Sequence, residues 1–138
     1  MLAHLLICIF STLGGIHLYW LAGGSWGTSA VIPEHEGKPL FRPTRLATGV
    51  VAAGLFCCAL LMAVVARIIP LPLQVPLTIL GYLCALLFFA RAIGDFRLIG
   101  FFKRVRDTRF ARFDTLLYSP LCLAISIGVF WVVRCSST

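Results

Sequence analysis

The sequence predicts an all-α fold, a bundle of four transmembrane helices in up-down order, and three observations carry that prediction. Of 138 residues, 60% are apolar and 12% are charged, whereas soluble domains run at roughly 45–50% apolar and about 25% charged. Four stretches each approach the roughly 20 apolar residues that a helix needs to cross a hydrocarbon core of about 30 Å. The 12 Lys+Arg and 5 Asp+Glu, a formal charge of +7, fall mostly between those stretches. A water-soluble globule is excluded, and a mean hydropathy of +0.99 places residues 1–138 as one integral membrane domain.

The first span covers about residues 2–22. Small residues at Ala22, Gly23 and Gly24 give it some likeness to a secretory signal, but such signals open on a positive charge, and Met1-Leu2-Ala3-His4 has no Lys or Arg. An uncleaved helix is expected, stopped by Gly23-Gly24 because glycine takes the left-handed conformation cheaply. The second span covers about 46–69 and is closed by Pro70 and Pro72, since proline cannot continue a helix. The third covers about 76–93, with Pro76 in its favoured first turn. The fourth covers about 115–133, and two starts compete: Ser119 as N-cap with Pro120 next, or Asp114 as cap with Pro120 in the second turn. Only the second comfortably spans a bilayer.

Charge sets the expected orientation, because Lys and Arg in short loops mark the cytoplasmic side. Lys38, Arg42 and Arg45 lie in the 23–45 loop, and Arg97, Lys103, Arg104, Arg106, Arg109 and Arg112 in the 94–114 loop. Both loops fall on one side of a four-span protein. The other side holds only Arg67 and Arg134. The sequence therefore predicts a multi-pass protein of the inner membrane, with both termini outside and both long loops cytoplasmic.

Residues 98–113 interleave aromatics with arginines, and Leu98, Phe102, Val105 and Arg109 recur at helical spacing. That pattern suits an interfacial amphipathic helix between spans 3 and 4, with Lys103, Arg104, Arg106, Arg109 and Arg112 on lipid headgroups. Nucleic-acid binders share the interleaving, but a segment tethered at both ends to membrane helices already lies beside an anionic surface. Membrane lipids are the expected partner and nucleic acid is not. Part of the charge serves orientation alone.

An ionisable group inside a span is a functional candidate by default. His17 sits roughly 7 Å inside the first span at 1.5 Å per residue, beside Tyr19 and Trp20. It suits either helix packing or a ligand or proton-transfer role. Arg91 and Asp95 are spaced i, i+4, close enough to pair on one helix face, with Arg97 just behind. Asp114 and Tyr118 repeat that spacing at the start of the fourth span, and Glu34 and Glu36 offer further carboxylates. Trp26 is expected as an interfacial anchor. Gly14-Gly15, and Gly49 with Ala53, permit close helix approach.

The cysteines, Cys8, Cys57, Cys58, Cys84, Cys122 and Cys135, form no Cys-x-x-Cys motif, so neither a redox motif nor a metal site is signalled. Cys8 and Cys135 are both expected near the outer face. His4 and His17 share one span and His35 lies in a loop, which disfavours bis-histidine haem. The spacing identifies no cofactor.

Gly23-Gly-Ser-Trp-Gly27 after His17-Leu-Tyr-Trp20, then Arg91-Ala-Ile-Gly-Asp95-Phe-Arg97, then Phe110-Ala-Arg-Phe-Asp114 leading to Tyr118-Ser-Pro120, together resemble a bacterial domain-of-unknown-function family of small four-span membrane proteins. The resemblance covers nearly the whole chain. It implies a four-helix membrane fold with these signatures at one membrane face, and it brings no activity with it.

Topology adds that the signatures converge. His17, Trp20, Trp26, Arg91, Asp95, Arg97, Asp114 and Tyr118 should line one polar pocket at the cytoplasmic face, the default binding-site expectation. The leading functional expectation is recognition of a lipid or amphipathic small molecule there. One alternative is a membrane enzyme on a lipid-soluble substrate, with His17 as acid/base and Asp95 or Asp114 orienting it. Another is a subunit of an oligomeric transporter, active as a homo-oligomer. A channel is disfavoured, since the second span offers only Thr48 and two cysteines as polar groups.

Overall fold

In the computed structural model, described for residues 1–32, 34–35, 38–39, 43–72, 74–106 and 108–136, the expected spans appear as four long helices. They are α1 (Leu2–Leu21), α3 (Arg45–Val65), α4 (Gln74–Ile93) and α6 (Ser119–Ser136). Between them lie two short helices, α2 (Thr28–Val31) and α5 (Arg109–Phe113), and a two-residue pairing of β1 (Glu34–His35) with β2 (Lys38–Pro39). A π-helical turn, Asp114–Tyr118, joins α5 to α6, so one continuous helical rod runs from Arg109 to Ser136. Four helices are long and apolar enough to cross a membrane.

The bundle is built from two tightly packed pairs, α1 with α3 and α4 with α6, joined by lighter contacts of α3 with α4 and α1 with α6. α1 runs antiparallel to α3 and to α6, and α4 antiparallel to α6: Leu21 meets Gly49, Leu6 meets Gly128, and Gly81 meets Val133. That is the up-down order. The core is Leu6, Phe10, Leu55, Met62, Ile125 and Val129 with small residues between them. Gly14 is one of those small residues, since a Cβ there would press on the Phe56 ring at 2.9 Å, while Gly15 faces open space. Leu5, Leu60, Leu83, Leu87, Leu116 and Trp131 are exposed. So much outward apolar surface is untenable in water and suits a helix face against acyl chains.

Three element boundaries depart from expectation, each for a local reason. The second span stops at Val65, not near Ile69, because Arg67 turns left-handed (φ 58°) and the N–H groups of Ile68 and Ile69 fold back onto the Ala63 carbonyl. The fourth begins upstream of either expected start. Thr108 is its N-cap, its hydroxyl accepting from the Ala111 N–H at 3.1 Å, and Asp114 lies inside the rod. Pro120 cannot donate to the carbonyl four residues back, and the chain answers with the π turn just before it, where the Ser119 N–H reaches the Asp114 carbonyl. Such turns commonly absorb an interruption within a helix.

The third departure is the basic loop. Residues 94–106 and 108 form bends, turns and irregular chain, not an interfacial helix, and among the described residues of the basic stretch 98–113 only Arg109–Phe113 is α-helical. Arg42, Glu36 and Asp107 lie outside the described residues.

Candidate functional site: a buried charge node under the basic loop

Gly94 ends α4. Its φ of +87° belongs to glycine, and its N–H still closes on the Ala90 carbonyl at 2.8 Å. The chain then reverses. Asp95 Oδ1 accepts hydrogen bonds from the backbone N–H groups of Arg97, Leu98 and Ile99 at 2.9, 2.7 and 2.9 Å. Phe96 takes a left-handed φ of 62° to allow it, a conformation that disfavours a bulky residue. Gly100, at φ +92°, brings the loop back so closely that the Phe101 N–H bonds to Ala92 of α4 at 2.9 Å. The loop thus satisfies a carbonyl that the helix end would leave without a partner.

That fold-back corrects two expectations. Arg91 and Asp95 do not pair, because α4 ends between them and i, i+4 geometry no longer applies. Arg91 Nη2 instead donates to Asp114 Oδ1 at 2.9 Å, across 23 residues. Lys103 is not on the surface for lipid headgroups: its side chain is 1% exposed, and its ammonium donates to Asp114 Oδ2, Thr115 Oγ1 and the Gly100 carbonyl at 2.9, 2.6 and 3.0 Å. Val105 and Arg104 N–H groups both reach the Arg97 carbonyl, and this closed turn is what carries Lys103 inward.

Asp114 is the hub. It is fully buried, and its Oδ2 also accepts from the Gly100 N–H at 2.7 Å and the Ser119 hydroxyl at 3.2 Å. Two cations meet one carboxylate, so the node carries a net charge of +1. The carboxylate is saturated, yet Arg91 Nη1 is buried with no hydrogen-bond partner among the described residues.

The other expected residues make their hydrogen bonds outside the node. His17 Nδ1–H donates to the Leu13 carbonyl of its own helix at 2.8 Å, and its ring stands edge-on to Trp20, centroids 5.0 Å apart. No hydrogen bond among the described residues joins it to Asp95 or Asp114. Trp20 Nε1 donates to the Trp26 carbonyl at 2.8 Å, which fixes the turn after α1, and the Trp26 side chain is exposed. Tyr118 donates its hydroxyl to the Ala30 carbonyl at 3.3 Å, tying α2 over the start of the fourth span. Arg97, Arg104, Arg106, Arg109 and Arg112 are exposed, as are Phe96, Phe101, Phe102 and Phe113. The side-chain placement of Glu34 is not among the described features.

The expected polar pocket is therefore filled by the chain's own groups. Two open grooves among the described residues lie elsewhere, one of about 370 Å³ beside Tyr82, Ser126 and Phe130 and one of about 510 Å³ beside Leu21, Arg45 and Gly49. Sequence reasoning missed Lys103, Gly100 and Ser119 as members of the node. Gly94 and Gly100 bracketing Asp95 were the available signal of a turn.

Asp95 makes the loop sensitive to acid. Desolvation pushes its carboxyl pKa up, but the N–H donors of Leu98, Ile99 and Arg97 outweigh it and hold the pKa below the usual carboxylate value. A group with a depressed folded-state pKa contributes stability above its unfolded-state pKa of about 3.9, and loses it as pH falls through the folded-state value. Asp95→Asn should abolish that acid step. Protection factors of the residue 97–99 amides, their exchange rates taken relative to the intrinsic rate at each pH, should fall in the parent chain as pH drops well below 4 and show no such step in the variant.

A family model described as "Protein of unknown function (DUF3995)" matches residues 10–129, and the chain belongs to that family. No curated protein and no solved structure is detectably similar to it.

Proposed function

We propose that this DUF3995 member is a multi-pass protein of the bacterial inner membrane whose basic end faces the cytoplasm and holds the anionic headgroup of a lipid or amphipathic small molecule. Arg91 carries the reading. Its Nη2 pairs with Asp114, and its Nη1 is buried with no hydrogen-bond partner among the described residues, in a node of net charge +1. A buried donor left unpaired costs about 1–3 kcal/mol, which an incoming phosphate or carboxylate oxygen recovers. The excess positive charge favours an acceptor that is negative.

The surroundings fit such a ligand. Arg104, Arg106, Arg109 and Arg112 supply exposed cations on the same face, and each Lys or Arg near an anionic membrane surface contributes about 1 kcal/mol. Phe96, Phe101, Phe102 and Phe113 offer apolar surface beside them, as an interfacial segment requires. The orientation rests on the excess of Lys and Arg in the two long loops.

Reconstitution tests the reading. Released from nanodiscs holding equal phosphatidylglycerol and phosphatidylcholine, the parent chain should retain phosphatidylglycerol preferentially in its native mass spectrum. Arg91→Gln should lose most of that preference, while Arg104→Gln should keep most of it and shift only its salt dependence. Equal retention of the two lipids by the parent chain would overturn the proposal.

A further inference from the structure

We propose that Cys58 and Cys84 are a redox-active dithiol which a lipid-soluble quinone oxidises to a disulfide, clasping the two halves of the bundle together. The two sulfurs come from different helix pairs. Cys58 lies on α3, Cys84 on α4, and the Cys84 thiol points at the Cys58 sulfur at 3.6 Å. A disulfide needs about 2.05 Å, so the sulfurs must close by about 1.5 Å for the bond to form. The remaining cysteines, Cys8, Cys57, Cys122 and Cys135, are free thiols with no sulfur partner among the described residues.

Position gives the pair its consequence. α3 and α4 form one of the lighter joints of the bundle, between the tighter α1/α3 and α4/α6 pairs. A bond there would fix one pair against the other across 26 residues of chain. At 1.5 Å per residue the two cysteines sit about 10 and 15 Å from the adjoining helix ends at Val65 and Gln74. Cys84 is buried and Cys58 half-buried.

Depth also selects the oxidant. Exchange with a soluble disulfide requires that disulfide to reach the sulfurs, and these lie well inside the helices, away from water. A quinone dissolves in hydrocarbon and can accept hydrogen from the neutral thiols. The step balances: two S–H bonds break and one S–S bond forms, and the two electrons and two protons convert one quinone to one hydroquinone. The hydroquinone leaves through the bilayer.

The test uses the full chain in lipid nanodiscs, reduced with a phosphine, then treated with a fully substituted benzoquinone that cannot add thiols to its ring. Acid quenching, denaturation and N-ethylmaleimide labelling then count thiols by mass. Six adducts are expected before treatment and four after it, given the six free cysteines, with a Cys58–Cys84 linked peptide and one hydroquinone per chain. Cys57→Ser should still close. Cys58→Ser should keep all five of its thiols. Six adducts after quinone treatment, a link between other cysteines, or closure by glutathione disulfide but not by the quinone would each overturn the proposal.

Discussion

Asp114→Ala is expected to be the most damaging single substitution in the chain. It leaves the Lys103 ammonium, 1% exposed, with no counter-charge, and removes an acceptor shared by Arg91, Gly100, Lys103 and Ser119. Breaking a buried ion pair by deleting one partner costs about 3–5 kcal/mol. The helices should still insert, each being apolar enough alone, so helix content should change little. What should be lost is the docking of the basic loop: trypsin, which cannot reach Lys103 in the folded loop, should cut there. Lys103→Met should cost less, because Asp114 keeps Arg91, the Gly100 N–H and the Ser119 hydroxyl. The double variant Lys103→Met with Asp114→Leu should recover only the part of the loss that comes from the unpaired Lys103 charge, since Arg91, the Gly100 N–H and the Ser119 hydroxyl still lose their acceptor. Equal damage from Asp114→Ala and the double variant would mean the charge is not the cause.

The second large effect is expected at Gly94. With φ at +87°, an alanine there would drive its Cβ into the Ile99 carbonyl oxygen. The left-handed backbone alone costs a residue with a Cβ about 1–2 kcal/mol, and the overlap forces the Ile99–Gly100 peptide away from α4. Gly100→Ala meets the same obstacle from the other side, at the Ile93 carbonyl. Both should expose Lys103 to trypsin as Asp114→Ala does. Gly15→Ala and Gly54→Ala, where an added Cβ meets nothing within 4 Å, serve as controls. They should be neutral or slightly stabilising in thermal melts, since alanine exceeds glycine in helix propensity by about 1 kcal/mol.

How much of this was readable beforehand divides along a physical line. The spans were legible because each needs only local apolar length, and the glycine stop after α1 is local too: Gly23 turns at φ +101° and Gly24 bonds back to Tyr19. That Arg91 and Asp114 share one end of the bundle followed from topology. Their pairing did not, because it depends on α4 ending at Gly94 and on the rod passing Asp114 inward. Lys103 was the hardest. In a run of basic residues it reads as one more solvated charge, and only the reversal from Gly94 to Gly100 brings it to an acid 11 residues away. The interfacial helix failed for the same reason: the spacing of Leu98, Phe102 and Val105 is helical, but the bonds of Asp95 to three successive N–H groups and of Phe101 to Ala92 hold the segment in another shape.

Arg91 Nη1, without a partner among the described residues, is where the proposed headgroup binds. The most direct measurement is a high-resolution experimental structure of the chain in nanodiscs containing phosphatidylglycerol, with the density around that guanidinium examined. The account predicts Arg91 Nη2 on Asp114, and a phosphate oxygen of a bound lipid about 3 Å from Nη1. An Nη1 bonded instead to an oxygen of the chain itself, with no lipid phosphate beside the node, would contradict it.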